Sequence, residues 1–289
     1  MSTLVTTAPP PISLDIHNCM SKTRGGKIRT AAKCKSGIAI KLTVFVLISL
    51  SIYGFMSFDF KDIVFAEAIA GTWNNVKMMF GQPRLTHNSL NGAMQALLVT
   101  FSLGVLSTII GAIIAFFGAL FCARNIANPV VGNIIRSIVA FVRAVPTILW
   151  VLIFTVAVGL GSAAAVAGLT FHSAGYLIKA YSESIEEMDS GTIEALRASG
   201  AGFWQIVFQA ILPASISYMT AWTFLRFEIN FTNAIAMGAA AGAGGIGYDL
   251  FMAGSFYFDL RELGFITYII IAAVILLEIA ATRIKAKVR

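Results

Sequence analysis

The chain has 289 residues, 57% of them apolar and only 12% charged, with a mean hydropathy of +0.81 and a net charge of +7. That charged share is about half of what a soluble domain carries, which excludes an ordinary water-soluble globular protein and makes an integral membrane protein the working class. Cys19, Cys34 and Cys122 show no metal or redox spacing and the three histidines are scattered, so neither a metal site nor catalytic residues are assigned.

In chain order, residues 1–37 form a polar tail that reads as disordered and cytoplasmic. Lys22, Arg24, Lys27, Arg29, Lys33 and Lys35 lie in it, Lys41 follows just beyond, and Asp15 is the one acid. No aromatic residues interleave these bases, so nucleic acid is not an expected partner. A helix needs about 20 apolar residues to cross the hydrocarbon layer. Six stretches qualify: 38–58, part of 92–121, about 144–161, 162–178, 206–235 and 264–281. The expectation is an all-α, multi-pass protein with an outer segment at 59–89, a membrane core over 90–283 and a basic C-terminus at 284–289.

Between the second and third stretches, "VVGNIIRSIVAFVR" (130–143) puts Val131, Ile134, Ile135, Ile138 and Val142 at helical spacing, with Asn133, Arg136, Ser137 and Arg143 opposite. That pattern predicts an amphipathic helix lying in the membrane surface. Pro146 then lets the chain turn into the third stretch. With the N-terminus inside, cytoplasmic segments hold sixteen Lys and Arg against four outside (Lys61, Lys77, Arg84, Arg261). This bias places both termini in the cytoplasm and accounts for the basic pI.

Two motifs fall inside the core. "AGAGGIGYDL" (241–250) has the G-x-G-x-x-G spacing at Gly242, Gly244 and Gly247, yet a membrane stretch precedes it where a dinucleotide fold needs a strand. Tyr248 also stands where a P-loop would carry Lys. Non-helical backbone at membrane depth belongs inside the protein or along a watery path, so Gly244 and Gly245 are expected to line a cavity. Just before it, "LRFEINFTN" (225–233) carries charge within a span, which costs about 2.5 kcal/mol or more. Arg226, Asn230 and Asn233 share one helix face at i, i+4 and i+7, while Glu228 and Thr232 share another. Two readings stay open: hydrogen bonding between helices, or a polar transport path bordered by Arg226. His172 reads as a packed polar residue.

The polar segment "YSESIEEMDSGTIEALRASGAGFWQIVFQAILPAS" (181–215) is helically patterned. Glu194-Ala195, Gly200 and Leu212-Pro213 resemble the E-A-A…G…I-x-L-P coupling loop of permease subunits in ABC importers, with Leu196 and Ala210 departing from the pattern. The wider stretches "FVRAVPTILWVLIFTVAVGLG", "FHSAGYLIKAYSESIE", "LRFEINFTNA" and "GAGGIG" resemble the phosphonate-importer permeases of that family over residues 90–283. Thr232 stands where a basic residue is expected, and the run to the glycines is one residue longer.

The resemblance implies a type I ABC importer permease fold (MetI-like) with six transmembrane helices in a bacterial inner membrane. It further implies ATPase partner subunits, a second permease copy in a homodimer, a periplasmic substrate-binding protein and surrounding lipid. The chain has no Walker motif, so it is not itself expected to be an enzyme or to bind a cofactor; ATP is used by the partner. Phosphite, a phosphate ester or an amino acid remain alternative substrates. A six-span scaffold without transport would have no use for the 181–213 loop.

Overall fold

The computed structural model describes residues 21–22, 28–29, 35–58 and 64–288, with side-chain surroundings up to 283. Most of the tail expected over 1–37 lies outside these residues; within it Ser21–Lys22 (β1) and Ile28–Arg29 (β2) pair antiparallel. Two compact units divide the chain at Ala68 and Ile69. The first contains α1 (Lys35–Ser57), 23 residues that begin slightly earlier than the first predicted span. Helix α2 (Phe65–Gly81) carries the chain into the second unit and occupies much of the segment expected outside.

The second unit is built on α3 (Leu90–Cys122), α6 (Ser162–Glu186) and α9 (Leu212–Ala240), which pack against one another. Helix α3 has 33 residues without a charge and rises about 50 Å. Its N-terminus is fixed by Ser89, whose Oγ accepts the Gly92 N–H at 3.0 Å. On α6 the buried side is lined by Ala164, Ala165, Gly168, Ala174 and Gly175, small residues that bring neighbouring backbones close. At Gly168 a Cβ would run into the Val151 backbone of α5 (Thr147–Val158).

Helix α4 (Pro129–Ala144) starts on an Asn128 cap with Pro129 in its first turn, as the amphipathic pattern predicts. It meets α5 at a 94° bend across Pro146. Here the expected third span needs correction. Instead of one helix over 144–161 there are 12 helical residues, rising about 18 Å, bounded by Pro146 and Gly159. Among the described residues three helices are long and apolar enough to cross alone: Gly37–Ser57, Leu90–Cys122 and Leu260–Arg283. The bent α4–α5 pair counts as a fourth only when its two halves are taken as one span. Helices α6 and α9, at 25 and 29 residues, have the length but are more polar, because they carry the cluster described below. Six spans remain consistent with this set.

The segment 181–213 is ordered. Helix α6 continues to Glu186, then α7 (Ser190–Ala198) and α8 (Phe203–Ile206) follow. A π-helical turn (Val207–Ile211) joins α8 to α9 without a break. Helix α10 (Ile246–Phe251) folds back onto α9 and α3, and α11 (Leu260–Val288) closes the chain against α9.

Packing of α5 on α6 depends on the missing side chain at Gly168. Gly168→Val should cost about 1–3 kcal/mol through overpacking and lower the melting midpoint in detergent by several degrees. An unchanged midpoint would mean that α5 is free to slide away.

Candidate functional site

Arg226 lies 14 residues from each end of α9, and so at the middle of a helix about 43 Å long. It is buried, 2% exposed. Its Nε donates to Ser173 Oγ at 2.9 Å and its Nη2 to His172 Nδ1 at 2.7 Å. Both partners come from α6. A guanidinium can only donate, so Nδ1 must be the acceptor and carries no proton in this arrangement. Thr147 Oγ1 of α5 shares the same nitrogen at 3.0 Å.

One turn further along α9, Asn230 continues the network. Its Nδ2 donates to Thr108 Oγ1 of α3 and to Ser173 Oγ, each at 2.8 Å. Thr108 in turn donates to the Gly104 carbonyl at 2.6 Å. The Arg226 guanidinium also lies 5.3 Å from the Tyr176 ring centre, and Arg143 of α4 lies 5.6 Å from the same centre. Two cations therefore share one aromatic ring. No carboxylate among the described residues forms an ion pair with Arg226.

The sequence grouped Arg226, Asn230 and Asn233, and the structure keeps only the first two together. Asn233 is half-buried and lines a second cleft of about 280 Å³ between α9 and α11, with Glu228, Thr232 and Glu278. Asn230 and Asn233 fall on opposite sides of Arg226 around the helix, and the Asn233 side is the one that meets α11. Gly244 and Gly245 follow α9, and the chain there folds back beside Gly238, about 18 Å from Arg226 along the axis. They differ from each other. Both have a left-handed φ, +75° and +76°, but a Cβ on Gly244 would meet nothing within 4 Å, whereas one on Gly245 would strike Thr100, whose Oγ1 accepts the Ile246 N–H at 3.0 Å. Gly245 thus permits a tight fold-back against α3.

At the opposite end of α9, Glu194, Ala195 and Gly200 are exposed, Leu212 is half-buried and Pro213 is exposed. Helix α7 is held by Ile193, 2% exposed in a cluster with Ile185, Ile206, Val207 and Ile211. Gly200, at φ +83°, closes α7. Its N–H bonds to the Arg197 carbonyl and the Ala201 N–H to the Leu196 carbonyl, both at 3.0 Å, a pattern that needs a left-handed residue at this position.

Sequence reasoning missed His172, Ser173, Tyr176, Thr108 and Arg143 as a group, because only tertiary packing brings four helices to Arg226. It also missed a clasp at the end of the bundle where α3 starts. Glu262 is buried and accepts the backbone N–H groups of His87 and Asn88 at 2.9–3.2 Å, with His87 Nδ1 at 2.7 Å. The His87 ring stacks on Tyr257 at 4.1 Å. His87, Asp259 and Glu262 come within 4.8 Å of one another, close enough to hold a metal ion. The donor set argues for a clasp instead: Asp259 accepts the N–H groups of Arg261 and Glu262, and Glu262 is filled by amides.

Slight burial would raise the Asp259 carboxyl, but hydrogen bonds from the Glu262 N–H, Thr86 and the Arg261 N–H, with the charge of Arg84, hold it below the usual value. Asp249 is shifted the other way. Burial and the Glu262 charge push it up, against the hydrogen bond from Asn88.

The chain belongs to the family of inner membrane components of binding-protein-dependent transport systems, whose model matches residues 115–288. It is similar to the phosphate-import permease protein PhnE of Mycolicibacterium smegmatis, 35% identical over 153 residues, which are 53% of this chain and 29% of that protein. The chain therefore spans less than a third of that relative's length. It is also similar to the phosphite transport system permease protein PtxC of Stutzerimonas stutzeri, 33% identical over 64% of this chain and 67% of the relative. Among solved structures, the inward-facing MetNI methionine ABC transporter aligns with a TM-score of 0.63 at 23% identity, over 71% of this chain and all of that one. The likeness shows the fold expected from the 181–213 loop.

The raised Asp249 carboxyl carries a folding cost at neutral pH that disappears as pH falls through its folded-state value. Asp249→Asn should accordingly raise the melting midpoint by about 1–3 °C at pH 7 and leave it unchanged in acid where Asp249 is protonated. A fall at pH 7 would show that the Asn88 contact outweighs the crowding with Glu262.

Proposed function

We propose that the chain is the permease subunit of an ATP-driven importer for phosphonate or a closely related phosphorus oxyanion, handed over by a periplasmic binding protein. The observation that carries this reading is the buried Arg226, held at the midpoint of α9 by α6 with no ion-paired carboxylate among the described residues. A guanidinium in that position is costly unless it serves a negative charge. The relatives named for phosphate and phosphite import support the same class of substrate.

Because Arg226 is buried, it acts on the path through its potential, while its planar fork is spent on His172 and Ser173. An anion passing within about 8 Å at an effective dielectric of about 20 gains about 2 kcal/mol from such a charge, roughly thirtyfold in rate. Tight binding stays with the external protein.

In this reading ATP is hydrolysed by separate subunits that dock on α7, with Glu194, Ala195 and Ala198 on its open side. The permease works as a homodimer in the inner membrane with both termini inside, as the distribution of bases implies. Ile193 ties α7 to the cluster that holds the start of α9, which gives a short mechanical route from the docked ATPase to Arg226.

Arg226→Ala should cut uptake at least tenfold while the yield of intact complex and capture by the binding protein stay unchanged. Arg226→Lys should recover part of it, restoring charge but not the two-pronged contact with α6. Loss of the complex in detergent with Arg226→Ala would assign this residue a structural role only.

Glu194→Lys or Gly200→Asp should leave the protein in the membrane and abolish substrate-stimulated ATP hydrolysis. Transport at the parent rate by either variant would remove α7 as the docking element. Cysteine labelling from outside should reach positions 240–262 and not 181–200; the reverse pattern inverts the topology.

A further inference from the structure

Arg226 has its Nε and Nη2 committed to α6, so direct contact with an oxyanion falls to a cation whose donors are free. Arg143 is such a group. It lies in the last turn of α4 and is half-buried. Its side chain makes no hydrogen bond and no ion pair among the described residues, and its guanidinium lies 5.6 Å from the Tyr176 ring centre. Gly175 gives the end of α4 its room on α6: a Cβ there would come 2.9 Å from Val142 Cγ1 and 3.7 Å from Arg143 Cγ. Trp150 Nε1 donates to the Val142 carbonyl at 2.9 Å and steadies the bend into α5. The carbonyl end of α4 lowers the cost of a cation at this point without using up its donors.

Tyr176 relates this cation to Arg226. It follows Ser173 by one turn of α6, about 4–5 Å nearer the end that leads to α7. Its ring has Arg226 at 5.3 Å and Arg143 at 5.6 Å, and Trp222, one turn before Arg226 on α9, lies 6.1 Å away. Two positive charges thus meet at one aromatic side chain, and neither is ion-paired to a carboxylate among the described residues. An anion beside Arg143 relieves their repulsion, and the planar fork of a guanidinium matches two oxygens of a phosphonate.

We propose that Arg143 is the residue that touches the substrate, binding the phosphorus oxyanion on the α7 side of Arg226 while Arg226 adds its potential. This rests on the importer reading above and supplies the contact residue that it lacks. A half-buried guanidinium with free donors can take up an anion and release it, whereas Arg226 would first have to break its bonds to His172 and Ser173. A lipid phosphate offers the same chemistry, because α4 also has the pattern of an interfacial helix. Experiment separates the two sources.

The test uses the full-length chain, assembled with its ATPase and binding protein, in vesicles of phosphatidylcholine with and without phosphatidylglycerol; the probe is methylphosphonate. Arg143→Ala should lower maximal uptake about tenfold in both vesicles. The half-saturating concentration should stay the same, since capture belongs to the binding protein, and so should complex yield and melting midpoint. Arg143→Lys should recover part of the rate, keeping the charge without the fork. Uptake by Arg143→Ala at the parent rate overturns the proposal; if Arg226→Ala is impaired in the same assay, the importer reading still stands. A loss confined to vesicles with phosphatidylglycerol also overturns it, by assigning Arg143 to a lipid headgroup. Failure of the parent complex to take up methylphosphonate in either vesicle overturns both readings.

Discussion

Ser173 Oγ is the atom on which the membrane core converges. It accepts from Arg226 Nε and Asn230 Nδ2, and it lies 2.5 Å from the Leu169 carbonyl and 3.0 Å from Asn230 Oδ1. Through Asn230 and Thr108 the same network reaches α3, and through His172 and Thr147 it reaches α5. In hydrocarbon there is no water to take over any of these bonds, so separating the helices leaves polar groups unmet. Helices α3, α5, α6 and α9 are linked by these bonds in addition to the close packing of small residues on α6.

The network also explains why the central helices look the least membrane-like in composition. Part of the polar content of α6 and α9 faces inward near their midpoints, at Ser173, Arg226 and Asn230, while Lys179 and Glu183 lie exposed toward the end of α6. Small residues on α6 make this affordable by letting backbones approach closely enough for short side chains to reach across. Polar content and small residues are two parts of one packing solution.

The two ends of α9 are finished differently. Toward α7 the helix begins with a π-helical turn and a buried apolar cluster that includes Ile193, Val207 and Ile211. Toward α10 the chain is pinned by Gly245 against Thr100, by α10 folded onto α9 and by the Glu262 clasp that ties residues 87–88 to the start of α11. Arg226 sits midway between an end packed by apolar side chains and an end fixed largely by polar and backbone contacts.

Composition and charge were enough to identify a multi-pass membrane protein. The amphipathic period of 130–143, the Pro146 turn, the helical loop near Glu194 and the pairing of Arg226 with Asn230 are also written in local sequence. These features depend on spacing along one helix or on backbone chemistry, which neighbours in the chain determine. Tertiary structure decided the rest. His172, Ser173 and Thr108 become partners of α9 only when α3 and α6 are packed against it, from 53 to 122 residues away in the chain. The shortening of the third span to 12 residues, the separation of Asn233 from Arg226, the packing role of Gly245 and the His87–Glu262 contact across 175 residues have the same origin. A membrane helix is read easily from its own residues because its backbone bonds are internal. Which of its faces meets a partner is set by the other helices, and no periodicity within one segment records that.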